Sequence, residues 1–131
     1  MIKLLSKVEQ RDNREFSENF KRRIYRFILR LIKFIEILPK NDDLCRVARD
    51  QLIRSGTSIG ANYIEAIAGS SKKDFTNFLN NSLKSANESK FWLALLRDTG
   101  KGNKEEINEL LKELIEIANI LAASIRTLKG K

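Results

Sequence analysis

The chain contains no histidine, and this absence excludes several classes of catalytic site. Ser-His and Cys-His nucleophile pairs, histidine metal sites and histidine-dependent ribonuclease motifs all require an imidazole. The single cysteine, Cys45, cannot form an internal disulfide, and we expect a small buried side chain there rather than a reactive thiol. The glycines do not form a phosphate-binding loop, because the sequence contains no GK[ST] signature. We therefore expect a protein that is not an enzyme and that needs no metal or cofactor.

Long apolar runs are also missing. No stretch approaches the roughly 20 consecutive apolar residues of a membrane span. The opening residues, MIKLLSK, form too short an apolar run for a secretory signal and continue into charged residues. The length of 131 residues fits one domain that buries roughly two-thirds of its unfolded surface. We expect a cytoplasmic protein with no membrane contact that folds without a disulfide.

The chain has a single proline, Pro39, and no segment with the alternating pattern of a β-strand. Its apolar residues recur instead at helical spacing on both sides of that proline. The predicted helices cover residues 16–38, 42–67, 72–96 and 103–128. This pattern predicts an all-α, antiparallel up-and-down four-helix bundle as a single domain over residues 16–131. The polar residues 1–15 show no sustained period, and we expect them to form a loose leader.

Good N-cap residues stand before three of these helices. Asn41 or Asp42 can cap the second helix by accepting a hydrogen bond from a backbone N–H of its first turn. Ser71 with Asp74, and Asn103 three residues before a glutamate, resemble capping boxes before the third and fourth helices. The sequence therefore predicts the starts of these helices to within about a residue or two.

The second helix carries small and polar residues where a core helix would normally carry large apolar ones. Ser55, Ser58, Asn62 and Glu65 recur at spacings of three, four and three, which places them along one stripe. A buried carboxylate needs hydrogen-bond donors or a proton, and Arg54 and the serines of the third helix are available. We predict that Arg54 and the four stripe residues form a buried polar network that fixes helix register and performs no reaction.

Two glycines, Gly56 and Gly60, lie on an adjacent stripe of the same helix. Each costs about 1 kcal/mol relative to alanine in a helix interior, so local propensity does not favour them. We expect a backbone or a bulky side chain of another element to approach closely at these positions.

The net charge of +8 is concentrated near the start of the chain, where residues 1–40 contain eleven Lys and Arg and five Asp and Glu. The predicted first helix has a row of cations away from its apolar stripe. These residues are Arg22, Arg23, Arg26, Arg30 and Lys33. A basic surface attracts polyanions by neutralising phosphates, without reading sequence. The five cations are our candidates for nucleic-acid binding; alternatively, they pair with the acidic face at Glu105–Glu116 of a neighbouring subunit.

Residues 52–66 read LIRSGTSIGANYIEA, and within them the pattern R-S-x-x-S-I-x-x-N-x-x-E-A is quite specific. The segment SKKDF follows at residues 71–75, and E-x-x-x-W-L at residues 88–93. With these segments, the chain resembles the 23S rRNA intervening-sequence protein family, also called four helix bundle proteins, over about residues 16–128.

The resemblance implies a bacterial protein that assembles as a homopentamer and has relatives encoded inside insertions in large-subunit rRNA genes. It also implies a relation to accessory proteins of diversity-generating retroelements, which are basic pentamers that engage nucleic acid and a reverse transcriptase. No catalytic residues are established for the family, so none carries over. We expect a self-associating protein that binds rRNA or other nucleic acid through its first helix. The alternative is a structural or protein-binding scaffold with no direct nucleic-acid role.

Overall fold

The structure, a computed structural model, describes residues 7–129 and contains four α-helices. They are α1 (Lys7–Glu36), α2 (Asp43–Ala68), α3 (Lys72–Asp98) and α4 (Lys104–Lys129). Each helix contacts the next, and α4 contacts α1, so the four close into a bundle. No strand occurs in the described residues, which confirms the prediction of an all-α four-helix protein. None of these helices is long and apolar enough to cross a membrane.

Helix α1 begins at Lys7, whereas the sequence predicts a loose leader up to residue 15. The side chains of residues 11–15 are exposed, so no apolar stripe reveals this part of the helix. Once the packed part of a helix exists, each added residue gains a backbone hydrogen bond without a new nucleation cost. The Lys, Glu, Gln and Arg residues of this segment are also good helix formers. The prediction is therefore wrong for residues 7–15, and residues 1–6 lie outside the described part of the chain.

The predicted apolar stripes of all four helices meet in one core. Its largest fully buried side chains come from every helix, and they include Ile24, Leu31, Leu52, Ile59, Leu79, Leu93, Leu110 and Leu114. At the edge of α1 and α2, the rings of Phe20 and Tyr63 meet edge to face with their centroids 5.0 Å apart. Cys45 is fully buried, and burial raises the pKa of its thiol. This agrees with the expectation that Cys45 is a core side chain.

Helices α1 and α2 approach closely at the two glycines. A Cβ atom at Gly56 would lie 2.4 Å from Leu31 Cδ2, and one at Gly60 would lie 2.9 Å from Ile28 Cδ1. Both distances are far below ordinary van der Waals contact between carbon atoms. The expectation that a bulky side chain approaches these glycines is therefore confirmed, and the side chains belong to α1.

Helices α2 and α3 are joined by buried serine hydroxyls. The Oγ atoms of Ser55 and Ser89 lie 2.7 Å apart, and Ser89 also donates to the carbonyl of Ser85 at 2.9 Å. Because each hydroxyl carries one hydrogen, Ser55 is the donor to Ser89. Farther along, Ser82 Oγ donates to the Ile59 carbonyl at 2.8 Å. These small side chains let the two backbones approach while every buried hydroxyl keeps a partner.

The members of this network differ from those that the sequence predicts. Only Ser55 of the predicted set is buried in it. Arg54 and Glu65 are exposed, so neither belongs to a buried network. Asn62 donates to the carbonyl of Ser58 within α2, at 2.9 Å, and does not reach α3. Residues at spacings of three, four and three do not stay in line but rotate gradually around the helix axis. The stripe therefore begins in the core at Ser55 and ends in solvent at Glu65.

The predicted N-caps are confirmed by their hydrogen bonds. The side chains of Asp42, Ser71 and Asn103 accept from the backbone N–H three residues later, at 3.0, 3.0 and 2.8 Å. Between α3 and α4, Gly100 and Gly102 have φ angles of 74° and 80°, a conformation that favours glycine. This turn carries Lys101 towards the start of α2, where its Nζ donates to Asp42 at 2.6 Å.

Asp42 is expected to make stability depend on pH. Its bonds from Lys101 and from the Cys45 N–H lower its pKa from 3.8 to about 2. Because the folded pKa lies below the unfolded value, this link stabilises the native state above about pH 4 and is lost as pH falls towards 2. We expect Asp42→Asn, which keeps an N-cap, to lower Tm at pH 7 and to flatten the loss of Tm between pH 4 and pH 2.

Thermal unfolding followed by circular dichroism measures this effect. Asp43→Asn is the matched control, because it removes the same charge from the neighbouring exposed residue, which pairs only across one turn with Arg46. Equal changes in Tm for the two variants at every pH would show that the Asp42–Lys101 link contributes nothing.

Candidate nucleic-acid interface

The five candidate cations all lie on α1, but they divide into two groups. Arg22, Arg26 and Lys33 are exposed to solvent. Arg23 and Arg30 point to the side of α1 that packs against α4, and there they meet glutamates. The sequence predicts one basic row, whereas the packing of α4 separates it into an exposed part and a paired part.

Arg23 is held by two glutamates of α4. Its Nε and Nη2 donate to the two carboxylate oxygens of Glu113 at 2.7 and 2.8 Å, and Nη2 also bonds to Glu116. The two parallel bonds to Glu113 form the bidentate geometry that arginine makes with carboxylates and phosphates. The hydrogen bonds that Arg23 donates to Glu113 raise the pKa of the guanidinium, so its charge is fixed at any physiological pH.

Seven residues, or about two turns, farther along α1, Arg30 makes a similar pair. Its Nε and Nη2 donate to Glu106 at 3.0 and 2.5 Å. Both pairs are within one chain. The sequence alone offers pairing with the Glu105–Glu116 face of a neighbouring subunit as an alternative. Arg23 and Arg30 instead pair with this face of their own subunit. Within this face, Glu113 is only partly exposed, at 31% of its side-chain surface.

A polar cleft runs along this seam between α1 and α4. Its volume is about 380 Å³, and charged residues of both signs line it. They are Arg23, Arg26, Arg30, Glu109, Lys112, Glu113 and Glu116, with Phe27 and Leu110. Arg26 and Glu109 are exposed members of this cleft and make no ion pair within residues 7–129.

The exposed cations form a longer row than the sequence suggests. Arg22 bonds only to the neighbouring Asn19 side chain, at 2.8 Å, and no acidic partner holds Lys33 within the described residues. Because α1 continues to Lys7, Arg11 lies on the same face as Arg22 and Lys33, at a regular spacing of eleven residues. From Arg11 to Lys33 the row spans 22 residues, about 33 Å along the helix.

Arg11 and Arg14 are further exposed cations of α1 that the sequence analysis did not include among the candidates. Both line one shallow surface depression with Arg22 and with Glu15, Glu18 and Asn19. Continuing the helical register of the cations backwards through the polar segment would have found them. The exposed row can neutralise phosphates, whereas no group of three metal-ligating side chains occurs among residues 7–129.

Comparison with known proteins gives two findings. Residues 17–123 match the model of the family described as 23S rRNA-intervening sequence protein. The crystal structure of a protein of unknown function from the S23 ribosomal protein family of Bacteroides thetaiotaomicron VPI-5482 is similar, with a TM-score of 0.76 and 34% sequence identity. The match covers 84% of this chain and 97% of that one. No curated protein matches the sequence.

Proposed function

Since the chain belongs to the 23S rRNA-intervening sequence protein family, we propose that it is a non-enzymatic protein that binds RNA or DNA through the phosphates. The observation that carries this proposal is the exposed row of cations on α1. Its members are Arg11, Arg22, Arg26 and Lys33. They lie on one helix, and none of them makes an ion pair within the part of the chain that the structure describes. Exposed cations are already hydrated and flexible, so a phosphate can reach them without breaking the fold.

Binding of this kind gains its free energy largely from the release of counterions. The net charge of +8 adds a long-range attraction that acts on any polyanion. Contacts between exposed cations and phosphates position a protein on a nucleic acid but carry no sequence information directly. We therefore propose binding without sequence preference.

We further propose that the chain self-associates as a homopentamer, the assembly that the family resemblance implies. Support comes from exposed apolar side chains on adjoining faces of α1 and α2. Tyr25 is 63% exposed and Ile64 is 51% exposed, and the two line one small groove with Ile28 and Gly60. Exposed apolar side chains that adjoin one another are typical of protein–protein contact surfaces when the patch is larger than a few hundred Å². A closed ring would repeat the basic row of α1 and strengthen binding by multivalency.

A second candidate function is a protein-binding or structural scaffold. The observation that favours it is the exposed acidic pair Glu105 and Glu109 on α4, which has no ion-pair partner in the described part of the chain. In a ring, Arg22 and Arg26 of one subunit could pair with these glutamates of the next. The cations would then hold the assembly together instead of binding phosphate.

Fluorescence-anisotropy titration separates these two functions. The probes are a labelled rRNA hairpin and a labelled DNA duplex, each at two salt concentrations. We expect the triple variant Arg22→Gln, Arg26→Gln and Lys33→Gln to bind at least about tenfold more weakly, with each lost phosphate contact reducing the slope of log K against log salt by about 0.9 for the duplex. Native mass spectrometry should give the same assembly for the variant and the wild type.

The control variant removes three exposed lysines of α3, Lys72, Lys73 and Lys84, by substitution with glutamine. It has the same net charge as the α1 variant. Equal losses of affinity in both variants, or no binding by the wild-type protein at low salt, would contradict phosphate binding by α1. A lower native mass for the α1 variant alone would support the scaffold function instead.

A further inference from the structure

The proposed binding function leaves open why two of the arginines on α1 are already paired. We propose that Glu106, Glu113 and Glu116 compete with nucleic acid for Arg23 and Arg30, and so decide which cations of α1 a polyanion can use. This inference rests on the proposed function and concerns the same surface. Some cations of this surface are then free to bind a phosphate directly. The others can bind a phosphate only when it displaces a glutamate.

The geometry of the pairs makes the glutamates suitable competitors. A carboxylate and a phosphate present two oxygens to an arginine in the same forked arrangement. Glu113 already occupies both donor positions of Arg23 at hydrogen-bond distances of 2.7 and 2.8 Å. A phosphate therefore gains no new kind of contact at Arg23. It can only replace the contact that Glu113 makes.

Exposure makes the exchange accessible to a ligand. The side chains of Arg23 and Glu113 are 32% and 31% exposed, and that of Arg30 is 48% exposed. Water and salt reach ion pairs at this exposure and screen them, which makes them weaker than fully buried pairs. A phosphate can therefore reach these arginines from solvent, and its affinity there depends on how strongly the carboxylate competes.

The position of the pairs brings them close to the proposed ligand. Arg26 belongs to the exposed row and also lines the same cleft as Arg23 and Arg30. A polyanion that contacts Arg26 therefore lies beside both pairs. Each glutamate opposes it twice, first by occupying the arginine and then, after exchange, by remaining as an uncompensated negative charge near the phosphate.

The test is the double variant Glu113→Gln and Glu116→Gln, which should free Arg23. We expect it to bind the labelled DNA duplex about tenfold more tightly than wild type at low salt, because a charged hydrogen-bonding group becomes available. The magnitude of the salt slope should rise by about 0.9, the effect of one added phosphate contact. A rise in the slope separates a new contact from a general increase in positive charge.

The matched control is Glu105→Gln with Glu109→Gln. It removes two charges from the same acidic face of α4, one of them within the same cleft, without releasing an arginine. We expect a smaller gain in affinity and no change in the slope. Equal gains and equal slopes in both double variants would overturn the inference.

The outcomes also separate this inference from the proposed function. If no protein, wild type or variant, binds at low salt, both fail. If wild type binds and the Glu113/Glu116 variant has the same slope, only the competition is wrong. Should that variant not fold, as judged by circular dichroism, Glu106→Gln frees Arg30 at the other pair and carries the same expectation for affinity and slope.

Discussion

Replacing Leu31 with alanine is expected to lower the free energy of unfolding by about 2–5 kcal/mol, the usual cost of emptying a buried leucine site. Leu31 is 1% exposed, and its Cδ2 occupies the place where a side chain at position 56 would begin. The vacated space should therefore accept a methyl group from the other side. We expect the double variant Leu31→Ala with Gly56→Ala to be more stable than Leu31→Ala alone.

In the wild-type background, by contrast, Gly56→Ala should lower the free energy of unfolding. It forces Leu31 out of a packed position, which costs about 1–3 kcal/mol, against a gain of about 1 kcal/mol from helix propensity. Urea unfolding of the wild type, both single variants and the double variant gives the coupling free energy. The same cycle at Gly60 and Ile28 is the control, because that contact is with the end of a half-buried side chain. Additive effects at Gly56 and Leu31 would contradict the close contact.

The second large effect is expected at the seam between α2 and α3. Ser82→Leu should lower the free energy of unfolding by about 3 kcal/mol, because it overpacks a fully buried site and removes the hydrogen bond to the Ile59 carbonyl. Two helices whose contact is built from small side chains have no space for an isobutyl group. The expected structural result is a wider separation of α2 and α3.

Asn81→Leu is the control for this substitution, because it adds the same side chain to the adjacent exposed position of α3. Its effect should be within about 0.5 kcal/mol of zero. Equal stability of the two variants in urea unfolding would show that the serine seam tolerates bulk. It would also argue against a role for the buried hydroxyls in fixing the helix register.

Most of the bundle could be predicted because burial and capping leave local signals in the sequence. Asp42, Ser71 and Asn103 cap the three helices that they are predicted to cap. The apolar stripes also become the core. The extension of α1 to Lys7 could not be predicted in this way, since its side chains from residue 11 to residue 15 face solvent and carry no apolar period.

The candidate sites were harder to predict because their chemistry depends on neighbouring helices. Arg22 and Arg23 are adjacent in sequence, yet only Arg23 faces α4 and its glutamates. Nothing local distinguishes the two residues. Glu65 likewise continues a polar stripe from Ser55, but the helix turns it past the edge of α3 into solvent. Residue spacing predicts the direction in which a side chain points from the helix axis. Whether that side chain meets another helix or solvent depends on how the helices pack.

The regular spacing of Arg11, Arg22 and Lys33 has a consequence for electrostatics in physiological salt. Eleven residues at a rise of 1.5 Å separate consecutive cations by about 16 Å. The Debye length at 0.15 M salt is about 8 Å, so the mutual repulsion among these three cations is largely screened. The helix carries these charges at little cost to itself. A small anion can touch only one of them, whereas an extended polyanion can meet two or three at once.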